Sequence, residues 1–293
     1  MRARPSVTIV GPGRLGSALA VALSNAGVRV AEVVGRDQRT TRALARRVGA
    51  AGANFESARF ESDVIWSCVK DEAVHACAEQ IATALAQCRR ARPRHLGARQ
   101  QQVALHSSGA LSSDELEPLG AAGLAVASVH PMMSFVGGVI PDLNGVTFAI
   151  EGDTRAVNLA KHIVRTIGGR HIAIDKKKKA LYHAWGAFGS PLITATLAAA
   201  DEVAAAVGLA DAQARKTLAP MLRQTIENYI AHGAGAAFSG PFVRGDVATV
   251  RRHLDALKQV PEARDAYLAL VRTALALLPG EQKAEMKRLL AAI

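Results

Sequence analysis

The sequence has little cysteine, few aromatic residues and no long apolar run. Its three cysteines, Cys68, Cys77 and Cys88, are odd in number and show no metal-ligand spacing. They imply neither a disulfide framework nor a metal site. Aromatic residues make up only 4% of the chain while alanine is abundant, which favours close-packed helices over a β-sandwich. No apolar run approaches the ~20 residues that a membrane span needs. The opening MRARPSVTIV enters a strand-like segment without the longer apolar stretch and small-residue cleavage site of a signal peptide. The expectation is a soluble cytoplasmic protein. Its 293 residues suggest two domains.

The formal net charge is +11, which raises the question of nucleic acid. Most of the excess sits in two places. Arg89–Gln102 (RRARPRHLGARQQQ) carries five arginines and no acid, and Lys176–Lys179 is a run of four lysines. The rest of the chain is nearly balanced. This is not a basic stripe along a groove, so nucleic acid is not expected as a partner. The arginine segment reads as a solvated insertion. The lysine run abuts a helix that can line an active site.

Hydrophobic periodicity alternates between strand and helix as far as Asp175. Val7–Gly11 (VTIVG) is a short β-branched strand, and Arg14–Gly27 follows with Leu15, Leu19 and Leu23 at helical spacing. Strands are also expected at 28–35, 62–69, 103–106, 124–129, 145–151 and 170–174, with helices at 40–48, 72–85 and 154–167. Such alternation implies βαβ units and a mostly parallel sheet. Beyond Asp175 only helical patterns recur, the first a single Ala-rich run over 180–207. The expected organisation is therefore α/β: a dinucleotide-binding domain over 1–175 and an all-helical substrate and dimerisation domain over 176–293.

The first turn carries Gly11-Pro12-Gly13-Arg14-Leu15-Gly16, a full G-x-G-x-x-G. It follows a strand and opens a helix inside a βαβ unit, which is the context that gives the motif meaning. Gly11 permits the tight turn, Gly13 lets the backbone approach a pyrophosphate, and Gly16 lets helix pack on strand. Amides at the helix N-terminus then meet the phosphates. The second strand ends Val34-Gly35-Arg36-Asp37, where an NAD site would usually end in an acid. Arg36 offers a planar fork of donors suited to a 2′-phosphate, and Arg39 can add charge, so NADP is favoured over NAD. The competing reading leaves Arg36 in solvent and gives the ribose to Asp37 or Glu32.

Several further segments converge on one family: HSSGAL (106–111), SVHPMMSF (128–135), KALYHAW (179–185), SGPFVRGD (239–246) and VRRHL (250–254). With the glycine turn, in this order, they resemble the Rossmann-like oxidoreductases whose second half is a helical domain of unknown function. That family is related to pyrroline-5-carboxylate reductase, ketopantoate reductase and the 6-phosphogluconate dehydrogenase group. The resemblance spans nearly the whole chain. It implies an all-helical second domain, a homodimer and an active site in the cleft between domains. Where relatives read Ser-Asn in the long helix this chain reads Ser190-Pro191, which removes a plausible substrate contact and an amide.

In such a reductase the cofactor supplies hydride and the protein supplies position, a proton and charge. Lys179 and His183 stand four apart on one helix face, where the 6-phosphogluconate dehydrogenase group has Lys and Asn. Lys179 as general acid with His183 orienting substrate is chemically sensible. His106, Ser107 and Ser108 follow a strand whose carboxyl end should face the nicotinamide. They are candidates for cofactor, catalytic and substrate contacts respectively, and His130 is similarly placed. Val69 and Asp71 are further cofactor candidates, although Asp71 equally suits a helix N-cap. Arg244 can hold a substrate carboxylate, and Asp246 should cap the helix after it. The expected activity is NADP-dependent reduction of a small carboxylated ketone or imine, with ketopantoate the first substrate to try. The alternative is a catalytically silent NADP-binding sensor or scaffold.

Overall fold

The computed structural model describes residues 5–91 and 102–292. Most of the arginine-rich insertion lies outside the described residues. The chain folds as two compact units, Met1–Ala187 and Phe188–Ile293.

The first unit is a sheet with helices on both faces. Its strands are β1 (Val7–Val10), β2 (Val30–Val34), β3 (Ala51–Ala53), β4 (Val64–Ser67), β5 (Val103–His106), β6 (Ala125–Pro131), β7 (Thr147–Gly152) and β8 (Arg170–Ala173). They run in the order β3-β2-β1-β4-β5-β6-β7-β8. The first six are parallel; β7 runs antiparallel to β6, and β8 is parallel to β7. The order reverses between β1 and β4, which is where an open sheet of this kind leaves its binding crevice.

Strands β1, β2, β4 and β5 bury both faces, and for that reason read as continuous apolar runs rather than alternating ones. Ile9, Val33 and Trp66 join one core cluster, while Val10, Val34 and Ile65 join the cluster on the opposite face. Helix α1 (Arg14–Asn25) turns Ala18, Leu19 and Leu23 inward. Helix α2 (Gln38–Val48) is started by Asp37, whose carboxylate accepts from the Arg39 amide, and is closed by Gly49 at φ 67°. Helices α3 (Val74–Ala91), α4 (Glu117–Ala121) and α5 (Thr154–Thr166) complete the βα alternation. Strand β3 escapes the sequence pattern because Ala-Gly-Ala has no β-branched residue to mark it; it adds to the sheet edge beside β2.

Helix α6 (Lys179–Gly189) stays with the sheet. The division at Ala187 therefore falls later than the expected boundary at Asp175. The expected continuous helix over 180–207 is instead two: α6 stops before Ser190, and Pro191 takes the first position of α7 (Pro191–Ala206). Proline lacks the amide that an unbroken helix would need there, but suits a helix start.

The second unit is helical. Besides α7 it holds α8 (Asp211–Ala237), α9 (Val247–Ala256), α10 (Pro261–Leu277) and α11 (Lys283–Ala291). Asp246 caps α9 by accepting from the Thr249 amide at 2.9 Å, as expected from its position. A core of Val250, Leu254, Leu268, Val271, Leu275 and Met286 joins α9, α10 and α11. By contrast α7 buries no residue, and α8 buries only Ala214. No helix among the described residues is long and apolar enough to cross a membrane.

Candidate active site

The turn after β1 has the geometry its three glycines require. Gly11 sits at φ 93°, a region that side chains resist. A Cβ on Gly11 would also lie 2.8 Å from the Cys68 carbonyl oxygen, and one on Gly16 would lie 2.1 Å from the Gly11 oxygen. A Cβ on Gly13 would meet nothing within 4 Å. Gly11 and Gly16 are thus held by protein contacts, whereas Gly13 faces open space at the N-terminus of α1, where a phosphate can approach. Leu15 packs on the core. Pro12 lies against Gly35, where any side chain would collide with its ring. Val69 reaches the same turn, its Cγ1 lying 3.2 Å from the position of a Gly11 Cβ. The Arg14 side chain is already committed: its Nη1 donates to the Phe135 carbonyl at 2.9 Å, tying the loop after β6 to the start of α1.

At the end of β2 both candidate acids are spent on the protein. Glu32 is buried and its two oxygens accept from the amides of Arg59 and Phe60. Asp37 accepts from the Arg39 amide and the Thr40 hydroxyl, which hold its carboxyl below the usual range. Arg36 is exposed and makes no hydrogen bond or ion pair among the described residues. The group free to meet a ribose substituent here is a guanidinium, not a carboxylate.

The residues after β5 divide differently from the sequence expectation. His106 is fully buried, and both its ring nitrogens are engaged: Nδ1 accepts from the Ser108 amide and Nε2 donates to the Ser112 carbonyl. Burial, with the nearby Lys179 charge, pushes its pKa down to about 4. It is a neutral core histidine that holds the turn, with both ring nitrogens already used inside the protein rather than left for a cofactor. Ser107 is buried, and its hydroxyl accepts from Trp66 Nε1 at 2.8 Å. Ser108 is likewise turned inward, its hydroxyl accepting from the Leu111 amide. None of the three presents a free side chain. Asp71 is exposed and is the first residue of a short 3-10 turn capped by Lys70, so it is not the N-cap.

Helix α6 holds the next candidates, Lys179 and His183. Lys176–Lys178 are exposed, and Lys176 pairs with Asp114 at 2.8 Å. Lys179, the last of the run, is only 2% exposed. Its Nζ donates to the Ser108 carbonyl at 2.9 Å and to Ser128 Oγ at 2.5 Å. Desolvation dominates its titration and drops the pKa to about 8, although the charges of Glu151 and Asp71 oppose the fall. In this structure the ammonium is closed off from solvent, which differs from the open general acid expected from the sequence.

One turn on, α6 passes the end of β6. Tyr182 Oη lies 2.8 Å from His130 Nδ1. The His130 and His183 rings meet edge to face at 5.8 Å. Both rings crowd Gly109, where a Cβ would lie 2.6 Å from His183 Cδ2 and 2.7 Å from His130 Nε2. His130 is partly buried, and its Nε2 has no hydrogen-bond partner among the described residues. Burial first, then the charge of Lys179, pushes its pKa down to about 4. The structure therefore brings His130 and His183 together beside Gly109 at the carboxyl edge of the parallel strands. It adds Tyr182, which sequence reasoning passed over; the signal was a lone tyrosine directly before a histidine already singled out. Arg244 is exposed in the second unit, before Gly245 at φ 65°.

Two family matches divide the chain. Residues 6–88 match the family described as NADP oxidoreductase coenzyme F420-dependent, and residues 146–274 match a domain of unknown function, DUF2520. They bear out the resemblance read from the motifs. No curated protein matches the chain. Among solved structures, a Bacteroides fragilis protein assigned as an NADP oxidoreductase aligns with TM-score 0.74 at 20% identity, covering 92% of this chain and 97% of that one. The reductive aminase of Aspergillus terreus, in complex with NADPH and ethyl-5-oxohexanoate, gives 0.62 at 16% identity over 94% of each chain. The pyrroline carboxylate reductase of Plasmodium falciparum with NADP bound gives 0.57 at 15% identity, over 92% of this chain and 99% of that one. At these identities the likeness is one of fold.

Proposed function

We propose that the protein is an NADP-dependent oxidoreductase that reduces a small carboxylated ketone or imine, of which ketopantoate is the first to try. The observation that carries the proposal is the end of β2: Glu32 is taken up by two backbone amides, Asp37 by an amide and the Thr40 hydroxyl, and Arg36 stands free. The residues present fit the dinucleotide. Gly13 leaves room at the α1 N-terminus for the pyrophosphate, Val69 flanks the turn, and Arg36 suits the 2′-phosphate. When bound, the nicotinamide supplies hydride. His130 and His183 are the protein groups proposed to meet substrate, and Lys179 lies behind them as a positive charge. Arg244 is the proposed partner of a substrate carboxylate, through the two parallel hydrogen bonds a guanidinium can make. The related folds that carry NADP or NADPH are reductases of imines and pyrroline carboxylate, which supports the same reaction class.

The apolar, unburied faces of α7 and α8 support a homodimer through the helical unit, with Leu192 on α7 45% and Ile230 on α8 76% exposed. Contiguous apolar exposure of this kind marks protein interfaces. The three unpaired cysteines suit a reducing compartment, and the cytoplasm is the proposed one.

The test is a titration of wild type and Arg36→Ala with NADPH and with NADH. Loss of a charge-assisted contact worth about 1.5–3 kcal/mol should weaken NADPH by roughly 10- to 100-fold and leave NADH unchanged. An equal loss for both cofactors, or no loss, would sink the assignment. Tight NADPH binding without turnover on any small keto acid or cyclic imine would instead favour the silent sensor.

A further inference from the structure

Resting on the reductase reading, the geometry points to a carbonyl oxygen as the group this site protonates, with His130 the donor and Tyr182 the residue that sets and recharges it. Tyr182 is 7% exposed and its hydroxyl has no hydrogen-bond partner other than His130 Nδ1 among the described residues. If Nδ1 carried the hydrogen, the phenolic hydrogen would be left without an acceptor, at a cost of about 1–3 kcal/mol. Tyr182 therefore donates, Nδ1 accepts, and the remaining hydrogen of the neutral ring sits on Nε2. That nitrogen is the one that faces Gly109 and has no hydrogen-bond partner among the described residues.

The charges around His130 fix its state. From α6 come the buried ammonium of Lys179 and the imidazole of His183; from the end of β5 comes His106. Glu151 on β7 and Asp71 after β4 act on Lys179. Glu151 is already bound through both oxygens to the amide and hydroxyl of Ser113, and Asp71 is exposed. No carboxylate among the described residues contacts His130. The site thus offers a neutral N–H donor above a fixed positive charge. This arrangement stabilises an oxygen that gains negative charge and repels a substrate that arrives as a cation. A ketone is reduced through developing alkoxide. An iminium already carries its positive charge and needs no proton on reduction.

The step balances. The carbonyl carbon receives hydride from NADPH, which is oxidised to NADP, and the C=O π pair moves to oxygen. The Nε2 proton of His130 passes to that oxygen, and the Tyr182 proton passes to Nδ1. Solvent then returns a proton to Nε2 as the Nδ1 proton goes back to Tyr182, which restores the starting tautomer. Lys179 keeps its proton throughout and acts as a positioning residue that holds His130 neutral.

Nitrogen-15 NMR of histidine-labelled full chain reads the tautomer without turnover. His130 should be the neutral Nε2–H form from pH 8 to below pH 5. Its titration midpoint should move up by about one unit in Lys179→Met, and the two tautomers should mix in Tyr182→Phe. A wild-type Nδ1–H form, an imidazolium at pH 6, or a midpoint unmoved in Lys179→Met would overturn the donor assignment. The substrate class is read separately, by calorimetry on the NADP-loaded protein with oxamate as a keto-acid mimic and pyrrolidinium as an iminium mimic. Oxamate should bind at least 10-fold tighter; equal, absent or reversed affinities would overturn the carbonyl class. Failure of the protein to load NADP at all would instead sink the reductase reading, and the NMR result would stand apart from it.

Discussion

Lys179→Met should make the protein more stable at neutral pH and less stable in strong alkali. The lysine is 2% exposed and its ammonium is held by two neutral oxygens, Ser108 O and Ser128 Oγ. Burial lowers its pKa from 10.5 to about 8. In the unfolded chain the group stays protonated to about pH 10.4. Between these values the unfolded state binds more protons, so stability rises with pH from about 8 to about 10.5 and is at its lowest below 8. A shift of this size corresponds to about 3 kcal/mol of cost from the buried charge at pH 7. Methionine removes that cost at similar length, and forfeits two hydrogen bonds worth about 1 kcal/mol each. The Ser108 carbonyl is not orphaned, because Ser128 Oγ donates to it at 3.2 Å. The net expectation is a gain of about 1 kcal/mol at pH 7 that turns into a loss of about 2 kcal/mol at pH 10.5. Urea unfolding of both proteins at the two pH values reads the difference directly. A methionine variant less stable than wild type at pH 7, or a difference that does not change with pH, would refute the reasoning. If the expected result holds, Lys179 is retained at a cost to folding, as groups kept for function often are.

Two further expectations rest on different parts of the molecule. The His106 pKa of about 4 against an ordinary 6.5 means that the unfolded state takes up the proton first, so stability falls as pH drops from 6.5 to 4, by up to about 3 kcal/mol. In His106→Asn this acid-limb loss should be smaller by that contribution in melting curves taken from pH 7 to pH 4; parallel curves for the two proteins would show that His106 does not supply it. In sedimentation equilibrium the chain should run at twice its 30.7 kDa. Ile230→Asp on α8 should shift it towards one chain, and a wild-type mass of one chain would remove the proposed interface.

Much of the first unit was legible in the residue order because its signals are local. A β-branched run, three glycines at fixed spacing and leucines at helical spacing need only the chain near them, and each formed the element expected. The break at Ser190-Pro191 was also written in the sequence, since proline starts a helix more readily than it continues one. The short edge strand at Ala51–Ala53 left no such mark, because its pairing with β2, not its composition, makes it a strand.

The site separates the two sources of information more sharply. The sequence by itself determined that a dinucleotide turn exists, and that histidines, serines and a lysine cluster in its neighbourhood. It could not rank them, because burial and partners are settled by segments far apart in the chain. Four consecutive lysines look alike in sequence, yet three face solvent and Lys179 is sealed against Ser108 and Ser128, some fifty to seventy residues away. Glu32 and Asp37 look available until Arg59, Phe60 and the first turn of α2 claim them. His106 looks like a ligand until both its nitrogens are found engaged, while His130 keeps one nitrogen open and gains Tyr182 from α6. Spacing named the candidate groups. Only tertiary packing, by deciding which of them lost water and which kept a free lone pair or hydrogen, decided what each can do.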